Sequence, residues 1–135
     1  MPVPVDDGQH RKIKMAKILI VDDDEKVTTL LGRYLSSLGY QVTTVNQSSK
    51  AISAAEQVRP DLFILDIMMP PPDGFTLTGM LRDNIKFART PILIITALDN
   101  SNSRATTLGA NGYLAKPFNL DELDAKIHEL IGDQQ

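Results

Sequence analysis

The sequence predicts an α/β fold: a doubly wound, five-stranded parallel sheet flanked by five helices. Three observations carry this expectation. Short runs of Ile, Val and Leu recur at Lys17–Val21, Asp61–Leu65 and Pro91–Ile95, the composition of strands covered on both faces. Segments of helical period separate the runs. Strand and helix alternate five times, which builds a sheet with helices on both sides, and right-handed crossovers favour the doubly wound arrangement.

The elements follow in order. Residues 1–15 carry two prolines, Gly8 and the basic cluster His10-Arg11-Lys12 without apolar period, and read as a flexible arm. The cluster suits either an anionic partner or a solvated tail. Residues 16–132 are expected to form one domain and residues 133–135 a short tail. After the first strand, Val27, Leu30, Leu31, Tyr34, Leu35 and Leu38 form a helical stripe stopped by Gly39. Gln41–Val45 is a weaker second strand. Ala51, Ala54, Ala55 and Val58 mark a second helix, ended before Pro60. Asp73-Gly74 opens a third helix with Phe75, Leu77, Met80 and Leu81 on its apolar face. Gly79 within it costs about 1 kcal/mol relative to Ala, which suggests close packing there. Ser101–Leu108 is rich in Ser, Asn and Thr, which compete with the helix for backbone bonds, so a weak fourth helix ending at Gly109 is expected. Gly112–Leu114 is the fifth strand, and Leu120, Leu123, Ile127, Leu130 and Ile131 mark the last helix.

Composition narrows the function. The chain has 135 residues, enough for one domain with a proper core. A formal charge of -3 and a pI near 5.3 argue against a broadly basic nucleic-acid surface. There is no Cys, so thiol chemistry and thiolate metal sites are excluded, and 2 His make an imidazole zinc site improbable. No apolar run reaches the roughly 20 residues that span a bilayer, and the N-terminus lacks the apolar stretch of a secretory signal. A cytoplasmic location is the expectation.

Ligands of doubly wound sheets bind beyond the carboxyl ends of the strands. There the sequence places Asp22-Asp23-Asp24-Glu25 after the first strand, Asp66 after the third, Thr96-Ala97 at the end of the fourth and Lys116-Pro117-Phe118 after the fifth. Oxygen-only ligands select a hard divalent ion, and a few carboxylates with room for water suit Mg²⁺ better than a full Ca²⁺ cage. Asp22, Asp23 and Asp66 are therefore candidate Mg²⁺ ligands, while Asp24 and Glu25 suit the capping and opening of the first helix. Taken alone, Asp22–Glu25 also fits a solvated helix start. A charge at the end of an apolar strand is harder to explain without a ligand, which singles out Asp66. A carboxylate near Mg²⁺ can attack phosphorus, with Lys116 supplying further positive charge and Thr96 a hydrogen bond.

The set ILIVDDDE, LDIMMPPPDG, PILIITA and GANGYLAKPF resembles the receiver domain of bacterial two-component response regulators, over about Ala16 to Ile131. The resemblance implies a flavodoxin-like sheet in the order 2-1-3-4-5. It makes Asp66 the phosphoacceptor, served by a histidine kinase or phosphotransfer protein. It makes Asp22 and Asp23 the Mg²⁺-holding pair and puts Met68 where the family offers a backbone carbonyl to the metal. Thr96 matches the switch hydroxyl, Tyr113 the switch aromatic, also readable as an edge-strand aromatic, and Lys116 the phosphate-contacting lysine. The family usually has the bond before Pro117 cis.

Departures are the Pro70-Pro71-Pro72 run, expected to stiffen the loop after Asp66, and a slightly short stretch between Thr96 and Lys116. With no sequence after Gln135, a stand-alone receiver is expected, signalling through a downstream effector protein without direct nucleic-acid contact. It is expected not to be an enzyme, beyond slow self-phosphorylation from small donors and self-dephosphorylation. A phosphatase with an aspartyl-phosphate intermediate usually has a second acid two residues after the nucleophile, where this chain has Met68. A nucleotide- or flavin-binding module needs a phosphate-cradling loop where Asp22–Glu25 would repel phosphate. A docking module that is never phosphorylated is the remaining alternative.

Overall fold

The computed structural model describes residues 16–97 and 109–132. In chain order the elements are β1 (Lys17–Val21), α1 (Glu25–Ser37), β2 (Gln41–Val45), a 3-10 turn (Ser48–Lys50), α2 (Ala51–Val58), β3 (Leu62–Leu65), α3 (Gly74–Asp83), β4 (Ile92–Thr96), β5 (Gly112–Ala115) and α4 (Leu120–Ile131). All five expected strands are present. They are parallel, in the order β2-β1-β3-β4-β5. Four of the five expected helices lie among the described residues; Ser101–Leu108, the N-terminal arm and the C-terminal tail lie outside them.

Strand periodicity divides the apolar runs between two layers. Leu19, Val21, Phe63, Leu65, Ile92 and Ile94 face α2 and α3, joined by Phe75, Leu77, Leu81 and Phe87. Ile18, Ile20, Leu62, Ile64, Leu93 and Ile95 face α1 and α4, joined by Leu31, Leu35, Leu123 and Ile127. Both faces of the three central strands are thus sealed, which is why their sequences show no polar alternation. β2 is an edge strand with only Val45 buried, which accounts for its weaker signal.

Helix ends follow their local chemistry. The Asp24 carboxylate caps α1 by accepting from the Lys26 N–H, and Gly39 follows the helix at φ 100°. Asp73 caps α3 through the Thr76 N–H at 2.7 Å. Asn119 and Glu122 form a reciprocal capping box on α4. α2 stops at Arg59, before Pro60 as expected, but Arg59 itself is left-handed at φ 53°, an uncommon region for a side chain larger than Asn.

Three expectations need correction. Leu30, placed on the apolar stripe of α1, is 57% exposed, because the buried seam runs through Thr28, Leu31 and Leu35. Met80 on α3 is likewise exposed. Gly79 is not a close-packing site: a Cβ there would meet nothing within 4 Å.

Candidate functional site

The strand order reverses between β1 and β3, and the carboxyl ends of these neighbours form the switch point. Parallel ladder bonds carry on one step past the strands and place each charged residue. The Asp22 N–H donates to the Val45 carbonyl at 3.1 Å, the Asp66 N–H to Val21 at 3.0 Å, and the Lys116 N–H to Thr96 at 2.8 Å. The acids thus leave the neighbouring strands β1 and β3, and the lysine leaves β5, one strand beyond β4, all at the carboxyl edge of the sheet.

Their side chains meet. Lys116 Nζ lies 3.2 Å from Asp22 Oδ2 and 3.4 Å from Asp66 Oδ2. Asp22 Oδ1 accepts from the Asp24 N–H at 2.9 Å, and Asp66 Oδ1 from the Ile67 N–H at 2.7 Å. Asp22 and Asp66 are buried while Asp23 is exposed, and one oxygen from each of the three falls within 4.8 Å of the others.

At that separation, two carboxylates repel by about 3.5 kcal/mol at an effective dielectric near 20. Burial pushes the Asp22 carboxyl above the usual carboxylate range, and the charge of Asp66 adds to this. The Asp24 N–H and the Lys116 ammonium pull the other way without cancelling it. For Lys116, burial pulls the ammonium down, but Asp22 and Asp66 outweigh it and the net direction is up. One ammonium pairs with two of the three carboxylates, so the ionised cluster has two negative charges in excess on an all-oxygen donor set. This charge and chemistry fit a hard divalent cation such as Mg²⁺.

The remaining residues predicted from sequence take the following positions. Thr96 is fully buried at the end of β4. Met68, in the loop after Asp66, turns its side chain outward at 61% exposure. Tyr113 on β5 is half-buried against the layer under α2 and α3. The Lys116-Pro117 bond is cis, as expected, and so is Pro71-Pro72 in the loop beyond Asp66.

The rim of the site is held by contacts that sequence reasoning did not select. Gly74 opens α3 against the backbone of the Asp66-Ile67 peptide and donates its N–H to the Ile67 carbonyl at 2.9 Å. Asn46, just past β2, donates from Nδ2 to the Asp22 carbonyl and to Thr28 Oγ1, both at 2.9 Å. Ser48 donates to the Pro70 carbonyl at 2.9 Å. Asn46 was open to the same strand-end rule that found the acids, but an amide carries no charge to mark it.

The family model described as the response regulator receiver domain matches residues 18–128. The chain belongs to that family. Among curated proteins, the DNA-binding dual master transcriptional regulator RpaA of Synechocystis is 37% identical over 119 residues, covering 87% of this chain and 49% of the relative. The chain spans about half the length of the curated relatives it matches. Among solved structures, the chemotaxis protein CheY4 of Vibrio cholerae gives a TM-score of 0.81 at 31% identity, covering 86% of this chain and 98% of that one. The receiver domain of the sensor histidine kinase PA1611 of Pseudomonas aeruginosa, with a magnesium ion in its active-site cleft, gives 0.79 at 35% identity, covering 87% and 98%. The flavodoxin-like receiver fold and its strand order are therefore shown, and receiver domains are signalling modules of two-component systems. No helix among the described residues of this receiver domain is long and apolar enough to cross a membrane.

Proposed function

We propose that this receiver domain, residues 16–132, is a phosphorylation switch whose acceptor is Asp66. The observation that carries the reading is the Lys116 ammonium bridging Asp22 and Asp66 within a cluster of three carboxylates. Asp22, Asp23, Asp66 and the backbone carbonyl of Met68 are the residues assigned to Mg²⁺. When bound, the ion neutralises charge on the equatorial phosphoryl oxygens.

The donor is a phosphohistidine on a histidine kinase or phosphotransfer protein. An Asp66 carboxylate oxygen attacks phosphorus in line with the N–P bond. The O–P bond forms as the N–P bond breaks, and its electron pair returns to the imidazole. Lys116 holds the acceptor carboxylate on its Oδ2 side and remains beside the charge that arrives. Thr96 is assigned the hydroxyl that responds to the phosphoryl group, and Tyr113 the aromatic that moves with it. An apolar groove lined by Val27, Leu30, Leu31, Pro117, Phe118 and Leu120 opens beside Lys116 and gives a protein donor a surface to seat on.

The product carries nearly two negative charges at neutral pH, enough to bias a two-state face read by an effector protein. A second output is favoured by the curated relatives, which are about twice as long and named as transcriptional regulators: control of a DNA-binding partner domain in a longer protein.

Incubation with acetyl phosphate and Mg²⁺, followed by intact mass, tests the reading. One added phosphoryl group is expected, lost in Asp66→Ala and lost with EDTA. An unmodified wild-type mass, or modification that survives Asp66→Ala, refutes it.

A further inference from the structure

The geometry points to the loop between β2 and α2 as the positioning element of this site, acting through Asn46 and Ser48. The inference rests on the Mg²⁺-binding reading of Asp22, Asp23 and Asp66. Neither residue touches the carboxylates. Each acts on the backbone of a loop that carries them.

Consecutive residues at the end of β2 take both polar backbone groups of Asp22. The Val45 carbonyl accepts its N–H at 3.1 Å, and Asn46 Nδ2 donates to its carbonyl at 2.9 Å. The peptide leading from Asp22 to Asp23 is therefore fixed from the side, and with it the direction in which the acidic pair leaves β1. The second hydrogen of the same amide goes to Thr28 Oγ1 at 2.9 Å, and the Thr28 hydroxyl donates to the Glu25 carbonyl at 3.2 Å. Two hydrogens meet two acceptors, so the bonding itself fixes which end of the amide faces Asp22. Through Thr28, which is buried, Asn46 also grips the first turn of α1.

Two residues on, the buried Ser48 donates to the Pro70 carbonyl at 2.9 Å. That carbonyl lies in the loop after Asp66. One short loop thus ties the acidic pair through Asn46 and the acceptor loop through Ser48, and so sets the spacing between them. Outer residues that orient metal ligands typically change metal affinity by about 10–100-fold when removed.

The test is Mg²⁺ affinity of the full chain, read by titrating backbone amide resonances. Asn46→Ala should weaken Mg²⁺ binding about tenfold, and Ser48→Ala, which deletes one oxygen, should weaken it in the same direction. Amide exchange at Asp24, whose N–H rests on Asp22 Oδ1, should quicken in metal-free Asn46→Ala. Ile131→Val, a mild core truncation in α4, controls for stability and should leave Mg²⁺ affinity unchanged. Wild-type affinity in either loop variant overturns the role given to that residue. An equal loss in Ile131→Val overturns the positioning role altogether. If the wild type itself binds no Mg²⁺, the reading of the three carboxylates fails and this inference falls with it.

Discussion

Adding one methyl group at Gly74 should push apart the two ends of the loop between β3 and α3, which now touch. A Cβ built there lies 2.6 Å from Ile67 Cα and 2.9 Å from the Asp66 carbonyl carbon, and closer still to the Asp66 carbonyl oxygen. Comfortable carbon contacts are about 3.5–4.0 Å, so roughly 1 Å must open. The obstacle is backbone on both sides, so no rotamer change relieves it. Overpacking of this kind costs about 1–3 kcal/mol, and the Gly74 N–H to Ile67 carbonyl bond adds about 1 kcal/mol when it is lost. Gly74→Ala should therefore destabilise the protein by about 2–4 kcal/mol. With a urea slope of about 1.5 kcal/mol/M, the unfolding midpoint should fall by about 1–3 M. The same helix supplies the control. Gly79 has open space around it, so Gly79→Ala should stabilise by about 1 kcal/mol through helix propensity. A Gly74→Ala protein unfolding within about 0.5 kcal/mol of wild type, on the scale of a neutral surface change, would refute the close-approach argument.

Two further outcomes follow from the charges. In EDTA, Asp22→Asn should raise stability at neutral pH by about 1–2 kcal/mol, because it relieves the repulsion between clustered carboxylates while Asp66 still pairs Lys116, so that no buried charge is left without a partner. Asp22 has a raised carboxyl pKa from burial and from Asp66, against Lys116 and the Asp24 N–H. Its native state thus holds a proton more tightly than the unfolded chain. The contribution favours the fold at low pH and is lost as pH rises from the unfolded value of 3.8 through the raised native one. Urea midpoints of wild type and Asp22→Asn should diverge as pH increases across that window; parallel curves would count against it. Arg82→Met should cost about 2–4 kcal/mol, measured by the same unfolding. The guanidinium donates to the carbonyls of Gly109, Phe87 and Thr90 and to Asn111 Oδ1, at 2.7–2.9 Å; methionine would remove all four bonds, although Asn111 Oδ1 keeps the Ile92 N–H and the Phe87 carbonyl keeps the Thr90 N–H. A change below about 0.5 kcal/mol would show that water replaces the guanidinium without loss.

The fold was legible because its central strands are buried on both faces. β1, β3 and β4 cannot tolerate polar alternation, so their runs stand out, whereas the half-solvated β2 left a fainter trace. Periodicity gave the width of the α1 stripe but not its centre. That depends on how the helix rolls onto the sheet, so Leu30 fell outside the seam. Arg82 carried no signal in the sequence. Its acceptors span residues 87–111 and come together only after folding. Asp66 stood out for the opposite reason, since a charge directly after an apolar strand is costly wherever the chain folds; Asp22 and Lys116 drew their weight only from standing at strand ends together with it.

Bonding, more than proximity, holds the carboxylate cluster together. Repelling side chains ordinarily swing apart into water. Asp22 is prevented from doing so because Oδ1 is taken by the Asp24 N–H and Oδ2 by Lys116, while its main chain is bonded to Val45 and Asn46. Asp66 is held similarly by the Ile67 N–H, by Lys116 and by its ladder bond to Val21. Local motion therefore offers little relief from the repulsion. It can be lowered by a proton, by substitution or by added positive charge at the mouth, where the exposed Asp23 stands. The rigidity that holds the three carboxylates at close range is thus the same property that would make the cluster selective for a small, doubly charged ion.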